Sequence, residues 1–203
     1  MMGKRMGIRH LIFDLDGTLI LLPVKWSDVR RKLSEMLQRR VRSIVELYSE
    51  IWMDKEVFKV VSAIVEEHEL KALTEVKVLD DSPKVLKELS SNYRLSLVTL
   101  QSDRVASAIL DDLGVRSLFL AKVTRDDTPL REEQIRIVLD RTGFKAEETV
   151  VIGDLMNDVR AALRIGCWAI HICRRWTRRL REVDDRVRRV RSLKEVNDVL
   201  RSW

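Results

Sequence analysis

The sequence predicts an α/β fold: a Rossmann-like parallel sheet with helices on both faces, and a small α-helical domain inserted after the first strand. Three observations lead there. Short, continuous apolar runs alternate with amphipathic helical runs, the pattern of a parallel sheet covered on both sides. Gly114, Gly143 and Gly166 each follow a helical run and precede an apolar one, where a helix ends in a left-handed residue. The stretch from Leu21 to about Asp80 has helical periodicity and no convincing strand, and at roughly 60 residues it is too long for a connecting loop. The expected division is a core of residues 1–20 and 81–203 and a helical domain of residues 21–80.

Taken in order, Ile8 to Phe13 reads as the first strand and ends in the run FDLDGTLI. Ser27 to Trp52 then carries Val29, Leu33, Leu37, Val41, Ile44, Val45, Tyr48 and Trp52 as one long helical stripe. Lys55 to Leu70 adds Val57, Val60, Val61, Ile64 and Val65. Ser82-Pro83 is a cap followed by proline at the first helical position, opening a helix to Ser90. Arg94 to Leu100 is the next strand, and Asp103 to Leu113 the next helix. SLFLAKV, TVVIGD and CWAIHI supply three more strands, separated by helices over Leu130 to Thr142 and Asn157 to Ile165. An edge strand in DRVRRV and a closing helix capped by Ser192 complete the core.

Composition narrows the class. The chain has 203 residues, 45% of them apolar, enough for a sizeable core. It has two cysteines, Cys167 and Cys173, too few for a disulfide framework, and they read as reduced. No run of about 18 apolar residues is present, so no membrane partner is expected and the location expected is cytoplasmic. The net charge of +6 is concentrated: Arg174 to Arg191 holds nine arginines against Glu182, Asp184 and Asp185, and 9 − 3 = +6. The bland reading is a solvated arginine-rich face; the sharper one is a site for nucleic acid, which lacks aromatic interleaving beyond Trp176. Nucleic acid is therefore not the expected partner.

The chemistry lies in the acids. Asp14 and Asp16 stand two apart at the end of the first strand, followed by Gly17 and Thr18. Asp154 ends another strand, with Asp158 four residues on, near the same face of the next helix. Ligands of open parallel sheets bind at that edge. A lone Asp there is usually a turn or cap residue. Four acids at two strand ends repel one another unless a cation joins them, and hard oxygen ligands suit Mg²⁺.

DLDGTL, then a helical insertion, then LVTLQS, then VVIGDLMNDVRAALRIG, resembles the haloacid dehalogenase superfamily of phosphatases over Ile8 to about Leu200. The insertion is similar to the caps of its phosphoglycolate phosphatase-like branch. The resemblance implies a Mg²⁺-dependent phosphatase acting on a small phosphorylated metabolite, as a monomer or homodimer. It implies Asp14 as nucleophile and Asp16 as the acid that protonates the leaving oxygen, a residue that the dehalogenating members lack. It implies Mg²⁺ held by the Asp14 carboxylate, the Asp16 main-chain carbonyl and Asp154, with Asp158 in support, and Thr99 hydrogen-bonded to the phosphoryl group. A phosphomutase using the same acids is the rival reading.

One feature departs from the family pattern. A Lys-Pro pair is expected near Pro129, and no lysine stands there. The segment TRDDTPLREEQ, Thr124 to Gln134, offers Arg131 instead, favoured for its always-charged bidentate fork, with Lys122 and Arg125 as the alternatives.

Overall fold

The computed structural model describes residues 7–175 and 184–203. Six parallel strands form the main sheet: β1 (His10–Phe13), β4 (Arg94–Val98), β5 (Phe119–Val123), β6 (Thr149–Gly153), β7 (Trp168–Ile172) and β8 (Val187–Val190). Their order is β5-β4-β1-β6-β7-β8. The chain leaves β1, builds outward through β4 and β5, then crosses back to add β6, β7 and β8 on the other side. The reversal falls at β1 and β6, so the C-terminal ends of those strands open into a crevice.

Alternate residues of each strand enter two separate cores, which is why the strands read as unbroken apolar runs. Leu11, Phe13, Leu97 and Ile152 pack on one face with α4 (Ser82–Ser90), α5 (Asp103–Asp112) and α8 (Val196–Arg201). Ile12, Val98, Val123 and Val151 pack on the other with α6 (Arg131–Thr142) and α7 (Met156–Ile165). Gly143 and Gly166 cap α6 and α7 at φ +74° and +96°, conformations a Cβ would disfavour. His10 is buried in β1 between Thr149 Oγ1 (3.2 Å) and Ser96 Oγ (2.9 Å), and burial lowers its pKa to about 4.

The inserted segment differs from the sequence expectation in two ways. The single long stripe over Ser27 to Trp52 is two helices, α1 (Trp26–Met36) and α2 (Ile44–Ile51). Gln38 adopts φ +50°, Ser34 Oγ accepts from Val41 N–H, and the Ser43 side chain caps α2 by accepting from Glu46 N–H. An apolar stripe survives such a break, because both helices face the same core. The segment also contains a strand: β3 (Lys77–Val78) pairs antiparallel with β2 (Ile20–Leu21). Two residues are too few to leave a period-two signature. Both α1 and α2 pack on α3 (Lys55–Ala72), which reaches α5 across the crevice. Phe58 anchors this packing, 5.5 Å from Tyr48 and 4.9 Å from Trp52 between ring centroids. No described helix is long and apolar enough to cross a membrane.

Candidate active site

Asp14 follows β1 directly, and its N–H donates to Ile152 O (2.9 Å), extending the ladder to the crevice. Asp154 follows β6 in the same way, and Asp158 lies in the first turn of α7, its Oδ2 accepting from Leu155 N–H (3.1 Å). Carboxylate oxygens of Asp14, Asp154 and Asp158 lie within 4.8 Å of one another, and all three residues are buried. Two glycines make room for them. Gly17 has φ +87°, and a Cβ there would collide with the Asp154 carboxylate. A Cβ at Gly153 would collide with Asp158.

Arg131, the first residue of α6, enters this cluster. Its Nη2 donates to Asp14 Oδ1 (2.7 Å), its Nε lies 2.9 Å from Asp158 Oδ1, and its Nη1 donates to Gln134 Oε1 (2.9 Å). Burial works against the guanidinium charge, but Asp158 and Asp14 outweigh it and raise the Arg131 pKa. Burial raises Asp14 well above the usual carboxylate range. Arg131 opposes that shift, while Asp158, Asp154 and Asp16 add to it. Three carboxylates against one guanidinium leave a formal charge of 1 − 3 = −2. Oxygen ligands, confinement and excess negative charge fit a hard divalent cation.

Asp16 stands apart from the three. Its Oδ1 accepts from Leu22 N–H (2.9 Å), and its carboxylate is not among the three that cluster. Burial raises its pKa to about 6. The Leu22 and Gly17 N–H groups oppose the shift, and the nearby Glu69 charge adds to it. A carboxyl group tuned near neutrality can both give and take a proton.

The remaining sequence candidates divide. Thr99 is buried at the end of β4, and its hydroxyl is bonded to Gln101 Oε1. Gln101 rather than Thr99 lines the cavity beside the acids. Lys122 is not brought to the cluster: its Nζ pairs with Asp103 Oδ1 (2.8 Å) and Ser107, because β5 turns this side chain toward α5. Arg125 is fully buried elsewhere, its Nη1 donating to Glu69 Oε1 of α3 (2.8 Å) and to Leu100 O (2.8 Å). Of the arginine-rich segment, residues 176–183 lie outside the described residues, Trp176 among them. Arg174 ties down the active-site loop, donating to Gly17 O and Thr18 O (both 3.1 Å) and pairing with Asp80 (2.7 Å).

Sequence reasoning missed four residues. Gln134, one turn after Arg131, fixes the guanidinium and donates to Thr99 O (2.8 Å). His171 donates from Nε2 to Asp154 O (2.9 Å), holding that loop. Tyr48 and Glu69 line the cavity from the helical insertion. Glu69 had a readable signal: with Val61 and Val65 it continues a four-residue spacing on the apolar face of α3, where a charge needs a reason.

The cavity between the sheet edge and α1–α3 has a volume of about 470 Å³. Comparisons with known proteins agree with this geometry. Residues 24–172 match the profile of the haloacid dehalogenase-like hydrolases. The chain is 26% identical over 175 residues to the pyrophosphatase PpaX of Bacillus velezensis, covering 78% of this chain and 80% of that protein. It is 22% identical over 191 residues to the phosphoglycolate phosphatase of Pectobacterium atrosepticum, covering 83% and 82%. The fold matches a haloacid dehalogenase-like family hydrolase from Streptococcus pneumoniae with a TM-score of 0.70 at 18% identity, covering 95% and 98% of the two chains. With the profile spanning most of the sequence and both acidic motifs seated at one sheet edge, this chain belongs to the haloacid dehalogenase-like hydrolase family.

Proposed function

We propose that this protein is a Mg²⁺-dependent phosphatase that hydrolyses a small phosphomonoester through an aspartyl-phosphate on Asp14. The observation that carries this reading is the contact between Arg131 and Asp14 inside a cluster of three buried carboxylates, with Asp16 tuned to about 6 beside it. The names of the relatives, pyrophosphatase and phosphoglycolate phosphatase, support the reaction class.

The steps assign one role to each group. An Asp14 oxygen attacks phosphorus; the bond from phosphorus to the ester oxygen breaks, and Asp16 gives that oxygen its proton. Asp16 then takes a proton from water as the water attacks the aspartyl-phosphate, releasing phosphate and restoring both acids. Arg131 neutralises charge on the phosphoryl oxygens, as phosphoryl transfer requires. Thr99 and Gln101 supply neutral hydrogen bonds at the end of β4. The residues to hold Mg²⁺ are Asp14, Asp154 and the Asp16 main chain, with Asp158 in support. When bound, the ion neutralises the excess acid charge and polarises the phosphoryl group. Residues 21–80 act as a cap over the core formed by 1–20 and 81–203, excluding bulk water from the transfer. The unpaired cysteines agree with a cytoplasmic location.

The test is release of phosphate from an aryl phosphate with and without Mg²⁺, comparing the wild type with Asp14→Asn. Removing a nucleophile should lower turnover by at least about a thousandfold, the scale seen for nucleophile knock-outs. Equal inactivity of both proteins on that ester and on a broad metabolite panel would reject the reading. Isomerised sugar phosphate in place of free phosphate would make the enzyme a mutase.

A further inference from the structure

The reaction class leaves the leaving group unspecified, and the insertion side of the cavity constrains it. Most of that side is apolar, with Leu22, Val24, Trp26, Ile44 and Val65 facing inward. Two polar groups interrupt it. Glu69 and Tyr48 are each 1% exposed, and both line the cavity. Glu69 Oε1 is engaged by Arg125, but Glu69 Oε2 and Tyr48 Oη accept and donate no hydrogen bond of ordinary geometry. Leaving such atoms buried without partners costs about 1–3 kcal/mol each, so a native structure keeps them for a reason.

Their orientation is built rather than incidental. Arg125 is clamped by Ser62 Oγ (2.9 Å), Leu100 O (2.8 Å) and Ser62 O (3.3 Å), and its guanidinium carbon lies 5.6 Å from the centre of the Tyr48 ring. Burial raises the Glu69 pKa, opposed by Arg125 and by the Ser102 main-chain N–H beside the carboxylate. Glu69 therefore holds one oxygen on Arg125 and keeps the other buried, with the Ser102 main-chain N–H beside the carboxylate.

We propose that Glu69 and Tyr48 form a specificity subsite that reads a hydrogen-bond donor, a hydroxyl or an ammonium, on an otherwise apolar leaving group, and that rejects leaving groups ending in a carboxylate. This rests on the phosphatase reading of the same cavity. The exclusion follows from charge. Among the described residues lining the cavity the one cation is Arg131, already engaged by Asp14 and Asp158. Glu69 on the insertion side is already paired with Arg125, so among the described residues no cation there is left unpaired for a second carboxylate, and burying that charge without a partner is costly. An ester such as phosphoglycolate, the substrate in the name of the Pectobacterium relative, carries that carboxylate.

The experiment uses four aryl phosphates of matched size, with para-methyl, para-hydroxymethyl, para-aminomethyl and para-carboxy groups, and the full chain with Mg²⁺. The donor-bearing esters should exceed the methyl ester in kcat/KM by about tenfold, the worth of one hydrogen bond to a charged group, and the carboxy ester should fall below it by a similar factor. Tyr48→Phe and Glu69→Gln should each shrink the donor preference to within about threefold. Glu69→Gln should affect the aminomethyl ester most. Because Glu69→Gln disturbs a buried ion pair, Tyr48→Phe is the variant that must respond even if the other fails to fold. Calorimetric binding of the four esters to Asp14→Asn protein separates the two readings. The same order of affinities without turnover by the wild type supports this subsite and removes the phosphatase reading. A best-bound carboxy ester, no binding of any ester, or a donor preference unchanged in Tyr48→Phe overturns the subsite.

Discussion

Two arginines six residues apart in one charged segment, Arg125 and Arg131, are almost equally hidden, at 0% and 4% exposure. Each lies within 3 Å of a buried carboxylate, 2.8 Å for Arg125 and 2.7 Å for Arg131. They differ in balance. Arg125 meets one acid, Glu69, and its remaining donors are satisfied by Ser62 and Leu100, so the local charge closes to zero. Arg131 meets a cluster of three acids and cannot neutralise it. A balanced buried pair fixes one element against another. An unbalanced one stores a demand for further positive charge, and perturbed groups of that kind cluster where catalysis is found. Burial alone does not distinguish the two; the count of neighbours does.

Arg131→Ala should give the largest effect that separates them. Loss of a charged transition-state donor lowers turnover by about a hundred- to a thousandfold, read as kcat on the aryl phosphate. Arg125→Ala should lower turnover less but destabilise more, by about 3–5 kcal/mol, since buried Glu69 loses its ion-pair partner; urea denaturation measures it. Equal turnover losses in the two variants would erase the distinction.

The next effect concerns Asp16 and is measured on metal-free protein in chelator. Its folded pKa of about 6 stands above the ordinary 3.8, so the folded state binds the proton more tightly than the unfolded state. The stability this provides is present at low pH and is lost as pH rises through about 4 to 6. The loss amounts to at most about 3 kcal/mol, from (6 − 3.8) at about 1.4 kcal/mol per unit. Asp16→Asn should flatten that part of the pH–stability curve, and a curve parallel to wild type would show that burial does not tune this group.

The smallest effect belongs to Lys122→Ala. Its partner Asp103 is 59% exposed, so the pair contributes no more than about 1 kcal/mol, and turnover should stay near wild type. A large loss of turnover would return Lys122 to the phosphate site.

Much of the site is legible in the chain because it depends on local order. Asp14 and Asp154 are placed by the strands they terminate, Asp158 by the helix turn that follows, and Gly17 by the room it leaves for a carboxylate. The α1–α2 break at Gln38 and the pairing of β2 with β3 were not legible. An apolar stripe reports which face is buried and not whether the helix is continuous, and a two-residue strand is defined by its partner rather than by its own pattern. Thr99 shows an intermediate case: its strand end is readable, yet the cavity wall there is Gln101, two residues on.

The sequence by itself determined the alternation of strands and helices, the four acids at the sheet edge and the presence of a large helical insertion, since these follow from periodicity and short-range spacing. The sequence favoured Arg131 among three basic residues, but tertiary structure decided which of them faces Asp14, and that Tyr48 and Glu69 line the same cavity from the far side. Those outcomes depend on contacts over long separations in the chain, Arg131 with Asp14 and Arg125 with Glu69, and such contacts are set by how layers pack. The residues next to Arg125 and Arg131 in the chain do not specify which acid each will meet.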